Sequence, residues 1–404
     1  MSAGHGPARQ YGAKSHHAED AAMKYIITLP ALLAYLLLLC LSRSQPAIAQ
    51  YAVDTTLGGL PLKTTVDSRW AQALLTSTLD RGIMESLACE SGGDTPSLDQ
   101  LGALSRRLSP DTATAALARC LLQRRDVALA QSLFVEEINK GPAALRATAA
   151  ELHAHRDDYT LVFVPGWGYL APDNPTGADL AMPRAVVEAQ GFTTVLAPIP
   201  SNGSIEDGAE VVAAVARDVL ATGKNIIFVS ASSGGPVVAH AIATGGFDTH
   251  PGLQGWLNIC GILRGSPVVD KLLFWPASLV LRGIALYEGW EYDSLVSLSR
   301  HKSVPRFQQF HAPEQLTIVN YVGIAFSGQT SPYAQFFTRL LRRQGPSDGL
   351  TFITEAMAPG YTILGVGSDH FIMEDPEIVR KTGSLLPVLL ALIERQRAQP
   401  VQAL

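Results

Sequence analysis

From Tyr159 onward the chain alternates short, uninterrupted apolar runs with amphipathic segments. Thr160-Leu161-Val162-Phe163-Val164 is the first such run, closed by Pro165-Gly166. A strand apolar at every position is buried on both faces, which restricts it to a parallel sheet covered by helices. The same pattern predicts strands at Thr193–Pro198, Asn225–Ser230, Gly255–Cys260, Leu316–Ile324 and Tyr361–Val366. Helices are predicted between them at Leu180–Ala189, Ile205–Ala221, Gly235–Thr244 and Tyr333–Arg343, with a last one from Pro376 to about Arg395. Ser204 stands as the N-cap of the second, and Pro376 fits a first helical turn. The implied class is α/β, a mostly parallel sheet with helices on both faces, over residues 156–398.

Two earlier regions read differently. Residues 50–155 are predicted as a helical N-terminal region: 50–62 are strand-poor and turn-rich, and Trp70-Ala71-Leu74-Leu75 and Ala115-Ala116-Ala118-Leu121-Leu122 recur at helical spacing. Residues 1–49 read as a signal peptide. Lys24 precedes the apolar run Tyr25–Leu41, and Ala47-Ile48-Ala49 supplies a cleavage site after Ala49. Met23-Lys24 resembles an ordinary start of such a segment. The expected location is therefore exported, periplasmic or secreted; the alternative is an uncleaved anchor over residues 25–41. An oxidising compartment permits a disulfide between Cys89 and Cys120, since Cys40 leaves with the signal and Cys260 sits in an apolar strand. The formal charge of -5, with no basic run, argues against nucleic acid as a partner.

The sharpest chemical signal is Val229-Ser230-Ala231-Ser232-Ser233-Gly234-Gly235, between a predicted strand and a predicted helix. A nucleophile on so tight a turn needs small residues two positions before and after it, which Ser230 and Gly234 supply around Ser232. Ser233 is the alternative nucleophile, but would shift the turn into the helix. A serine hydroxyl needs a base and an orienting carboxylate. His370, in Gly367-Ser368-Asp369-His370-Phe371 past the last strand, is the expected base. Asp348, in Pro346-Ser347-Asp348-Gly349-Leu350, is the expected acid; Asp369 adjoins the base and Asp375 looks like a helix cap. Charge on a tetrahedral intermediate calls for main-chain N–H donors, and those of Trp167, in Val164-Pro165-Gly166-Trp167-Gly168, and of Ser233 are assigned to that oxyanion hole.

Together these residues resemble the α/β-hydrolase superfamily and, more narrowly, secreted bacterial triacylglycerol lipases and carboxylesterases. Asn202-Gly203-Ser204-Ile205-Glu206-Asp207, Asn258 through Asp270, Ser297 through Phe310, and Ser347-Asp348-Gly349-Leu350 carry the narrower likeness, which spans roughly Thr160 to Leu390. Gly261-Ile262-Leu263 departs from the family's Thr-Pro-His, and Pro165 from the common His. The resemblance implies a carboxylic ester hydrolase with a cap or lid insertion at about 266–314, where Leu272-Leu273-Phe274-Trp275 and Trp290 interrupt the alternation. It implies a small-molecule or lipid ester as substrate, with contact at a membrane surface, and no cofactor. Ile372 stands where calcium-holding relatives tend to place a carboxylate, so no metal is expected. An acyltransferase or thioesterase on the same three residues, and a non-catalytic envelope binding protein, are the alternative readings.

Overall fold

The computed structural model describes residues 50–398 apart from 77–80, 87–94, 142–154 and 172–175. The predicted signal peptide or anchor, and Cys89, lie outside the described residues. Cys120 is disulfide-bonded, and Cys260 is a free, buried thiol.

The chain opens with a β-hairpin where a strand-poor segment is expected. β1 (Tyr51–Leu57) pairs antiparallel with β2 (Leu60–Val66). Gly58 and Gly59, at φ +57° and +80°, form the two-residue turn, in which both positions need the left-handed conformation that glycine adopts without strain. Val53, Leu57, Leu60, Leu62 and Val66 are buried while polar residues between them face out. This is the pattern of strands with one wet face, diluted here by threonines.

Helices α1 (Arg69–Thr76), α2 (Arg81–Ser86), α3 (Leu98–Arg107), α4 (Pro110–Gln123) and α5 (Arg125–Asn139) follow, so only the part after the hairpin is helical. Ser97 caps α3 reciprocally with Gln100, and Ser109 caps α4 with Pro110 at its first position, where the missing N–H costs nothing. The run Ala113–Ala118 is buried, its short side chains letting neighbours approach α4 from all sides.

The main sheet begins with β3 (Tyr159–Val164). α6 (Ala181–Ala189), β4 (Thr193–Leu196), α7 (Ile205–Ala221), β5 (Asn225–Ala231), α8 (Gly234–Thr244) and β6 (Leu253–Ile259) succeed it. Four helices come next, over the segment read above as a cap: α9 (Pro267–Leu272), α10 (Ala277–Glu288), α11 (Tyr292–Ser297) and α12 (Arg300–Gln308). β7 (Thr317–Ile324), α13 (Pro332–Leu341), β8 (Tyr361–Val366), α14 (Ile378–Gly383) and α15 (Leu385–Ala398) complete the chain. The predicted last helix is thus two, starting after Pro376. Pro387 has no N–H to offer the carbonyl of Gly383, which favours a break there.

The six strands are all parallel, in the order β4-β3-β5-β6-β7-β8. Alternate side chains of each strand feed two cores. Leu161, Phe163, Ile227 and Val229 face α15 residues such as Leu389, whereas Val162, Ile226, Phe228 and Trp256 face α7 and α8. Ser204 caps α7 reciprocally with Asp207 as expected, and the guanidinium of Arg306 in α12 pairs with Glu206 at 2.5 Å, fastening the cap to that helix.

Candidate active site

Ser232 occupies the turn between β5 and α8 with φ +52°, a left-handed conformation unusual for a residue with a Cβ. Its N–H donates to the carbonyl of Ile259 at 3.1 Å, which holds the turn on the end of β6. The small residues around it have separate reasons to be small. A Cβ on Gly234 would collide with the carbonyl oxygen of Val164 and stand 2.8 Å from that of Pro165. Ser230 is fully buried, and its hydroxyl accepts the indole N–H of Trp256 at 2.8 Å, so a serine is accommodated there.

The structure brings Ser232, His370 and Asp348 into one line. Ser232 Oγ lies 2.9 Å from His370 Nε2, and His370 Nδ1 lies 2.9 Å from Asp348 Oδ2. Asp348 Oδ1 accepts the N–H of Leu350 at 3.0 Å and of Thr351 at 2.9 Å, fixing the carboxylate plane. With its proton on Nδ1, the imidazole donates to Asp348 and leaves Nε2 to accept from the serine hydroxyl. Such an arrangement turns a weak nucleophile into one that can be deprotonated as it attacks.

The alternatives lie elsewhere. His370 meets Ser232 and not Ser233, whose backbone is already helical at φ −65°. Asp369 Oδ2 accepts the N–H of Ser331 at 2.7 Å and Oδ1 that of Phe371 at 2.9 Å; burial raises its carboxyl above the ordinary range. Asp375 takes the N–H of Glu377 at 2.8 Å, as a cap would, while its other oxygen pairs with Lys381 and accepts from the Ser368 hydroxyl.

On the opposite side of Ser232, the turn after β3 is pinned at alternate residues. Gly166 donates its N–H to Ala178 and Gly168 to Ser201, each at 2.7 Å. Among the described residues, the intervening N–H of Trp167 and the N–H of Ser233 find no acceptor, and both residues border the same cavity as Ser232. That cavity, about 290 Å³, opens beside the serine hydroxyl. Its walls are mainly apolar, with Val268, Leu272, Leu295 and Leu298 from the cap region and Phe337 from α13.

Three features of the site carry no sequence signal. Cys260 directly follows β6 at φ +46° in the cavity wall, and burial pushes its thiol well above the ordinary range, which removes it as a thiolate nucleophile. Beneath the His370 loop, the buried Lys381, Asp375, Ser368 and Tyr321 form one connected polar network. The third is the grip of the N-terminal region on the loops around the site.

No protein-family model matches the sequence, and no curated protein does. Solved structures of bacterial carboxylesterases and lipases are similar in fold. A metagenomic carboxyl esterase matches at TM-score 0.47 and 20% identity over 59% of this chain and 76% of its own. A lipase of Bacillus licheniformis in its mature form matches at TM-score 0.44 and 20% identity, over 58% and 91%. An esterase of the bacterial hormone-sensitive lipase family matches at TM-score 0.35 and 16% identity, over 60% and 77%.

Proposed function

We propose that the protein is an exported serine hydrolase of carboxylic esters. The observation that carries this reading is the unbroken line from Ser232 Oγ through His370 to Asp348, two contacts of 2.9 Å. Ser232 Oγ attacks the acyl carbon while His370 Nε2 takes its proton. The carbonyl oxygen, now an anion, accepts from the N–H groups of Trp167 and Ser233; one such donor is worth about 3 kcal/mol in other hydrolases. His370 then protonates the alcohol oxygen as the ester bond breaks, leaving an acyl group on Ser232. A water, deprotonated by the same imidazole, releases the acid.

The apolar cavity beside Ser232 suits the acyl part of the substrate. The cap presents Phe274, Trp275, Leu279 and Leu286 to solvent, which supports contact with lipid or aggregated ester at a membrane surface. Export is supported by the signal-like segment and by the disulfide at Cys120, a bond that persists in oxidising compartments. Ser232→Ala tests the reading directly. It is expected to abolish turnover of p-nitrophenyl esters and labelling by a fluorophosphonate with the melting temperature kept. Undiminished labelling of the variant would sink the assignment.

A further inference from the structure

β8 ends the sheet, and no strand pairs with its outer edge among the described residues. The N-terminal region covers that edge. The buried Gln131 of α5 accepts the N–H of Leu364 at 2.9 Å and donates to the carbonyl of Gly58 at 3.1 Å. Covering an edge strand accounts for the docking. It does not account for two further sets of bonds, one made to a loop that is hydrogen-bonded to the His370 loop and one to the segment ahead of Asp348.

The first set holds the loop after β7. Asp111 Oδ1 accepts the N–H of Ser327 at 3.1 Å, and the carbonyl of Thr65 accepts that of Gly328 at 3.0 Å. A Cβ at Gly328 would collide with Thr65, so the two backbones are in close contact. Four residues beyond Ser327, Ser331 donates to Asp369, whose other oxygen holds Phe371; His370 lies between those two anchored residues. The second set holds the segment ahead of Asp348. The Ser105 hydroxyl donates to the carbonyl of Arg342, and the Arg106 guanidinium donates to that of Arg343 at 3.1 Å. Gly102 meets the carbonyl of Gln344 so closely that a Cβ would stand 2.5 Å from it.

We propose that residues 50–141 act as a clamp that positions His370 and Asp348, with Asp111 as the positioning residue on the His370 side. Asp111 suits that role because its second oxygen accepts the N–H of Asp67 at 2.8 Å, tying the carboxyl to the N-terminal region at one end and to the loop at the other. A hydrogen-bonded line of three side chains works only when its members are held within about 0.5 Å, and loops reach that precision only when something braces them. The kinetic part of this inference rests on the ester-hydrolase reading; its structural part does not.

The test compares full-length wild type, Asp111→Ala and Asp111→Asn by amide hydrogen exchange and by turnover of a p-nitrophenyl ester per fluorophosphonate-titrated site. Asp111→Ala is expected to speed exchange in residues 325–331 and 367–372 at least about tenfold, with β3, β5 and β6 unchanged. Its kcat per titrated site should fall about tenfold, because small misplacements of reacting groups are costly. KM should stay within about twofold, since no described residue of 50–141 borders the cavity. Asp111→Asn keeps an acceptor for Ser327 but sets its amide nitrogen, a donor, against the N–H of Asp67, so it should recover only part of both. Should the alanine variant not fold, the exposed Arg106→Ala asks the same question at 342–351. Unchanged exchange in these segments overturns the clamp, as does a lowered melting temperature with kcat per site unaltered. Absence of label on wild-type Ser232 would instead refute the hydrolase reading, and the exchange data alone then decide the clamp.

Discussion

The main-chain N–H of His370 donates to the carbonyl oxygen of Asp348 at 2.8 Å, so these residues are joined through the backbone as well as through their side chains. The His370 backbone is therefore held independently of the carboxylate, so a change that keeps the shape of the Asp348 side chain acts on the ring through its hydrogen bond at Nδ1.

Asp348→Asn is such a change. The amide oxygen is expected to stay on the N–H groups of Leu350 and Thr351, which leaves the amide nitrogen, a donor, facing His370 Nδ1. The ring must then carry its proton on Nε2 and point it at Ser232, so the serine loses its base. kcat should fall roughly ten-thousand-fold at neutral pH, the scale such a tautomer change produces in other serine hydrolases, with little change in melting temperature. Retention of more than a tenth of wild-type kcat would rule out Asp348 as the orienting acid.

Gly234→Ala probes the turn rather than the proton path. Its Cβ would run into the main chain of Val164 and Pro165, and rigid carbonyls cannot yield as a flexible side chain does. Overpacking of this kind costs about 1–3 kcal/mol. The end of β3 has to move to relieve it, and the turn that follows carries the N–H of Trp167. Calorimetry should show a lower melting temperature, and steady-state kinetics a reduced kcat; an alanine variant equal to wild type in both would mean the turn is looser than the structure indicates.

The sheet was legible because its strands are apolar at nearly every position, and Ser232 because a strand-to-helix turn restricts the residues around it. Asp348 and His370 followed from their order and loop context. The hairpin was not legible, since one-sided burial leaves Thr55, Thr56, Thr64 and Thr65 among few apolar residues. Nor was the clamp: Asp111 and Ser327 are 216 positions apart, and a bond between a carboxylate and a distant main-chain N–H leaves no local pattern. Lys381 carries no signal for the opposite reason, because a lysine in a helix ordinarily faces water.

Lys381 is 6% exposed, donates to the carbonyl of Val366 at 2.7 Å and pairs with Asp375. Replacing it by methionine fills similar space but leaves Asp375 buried without its counter-charge. Removing one partner of such a pair typically costs about 3–5 kcal/mol, far more than the pair contributes over an apolar substitute. Lys381→Met should therefore lower the denaturation midpoint strongly, and Lys381→Met combined with Asp375→Leu should restore a large part of the loss. Additive effects in that double variant would show that the two residues do not act as a pair.

Asp111 makes the docking of the N-terminal region sensitive to pH. Burial, and then the negative charge of Asp67, raise its carboxyl to about 7, while Asp67 is itself raised by burial despite the hydroxyls of Ser109 and Ser68 and the guanidinium of Arg342 nearby. The folded state thus holds the Asp111 proton more tightly than the unfolded chain does. That contribution to stability is fully present below the ordinary carboxylate range, near pH 4, and is lost as pH rises through about 7; its scale is a few kcal/mol. Asp67→Asn removes the like charge while its amide oxygen can still accept the N–H of Asp111, so the loss should be smaller in the variant. Melting temperatures measured from pH 4 to 8 should fall less steeply for Asp67→Asn than for wild type, other titrating groups being common to both. Parallel curves would show that the two carboxyls do not interact across this junction.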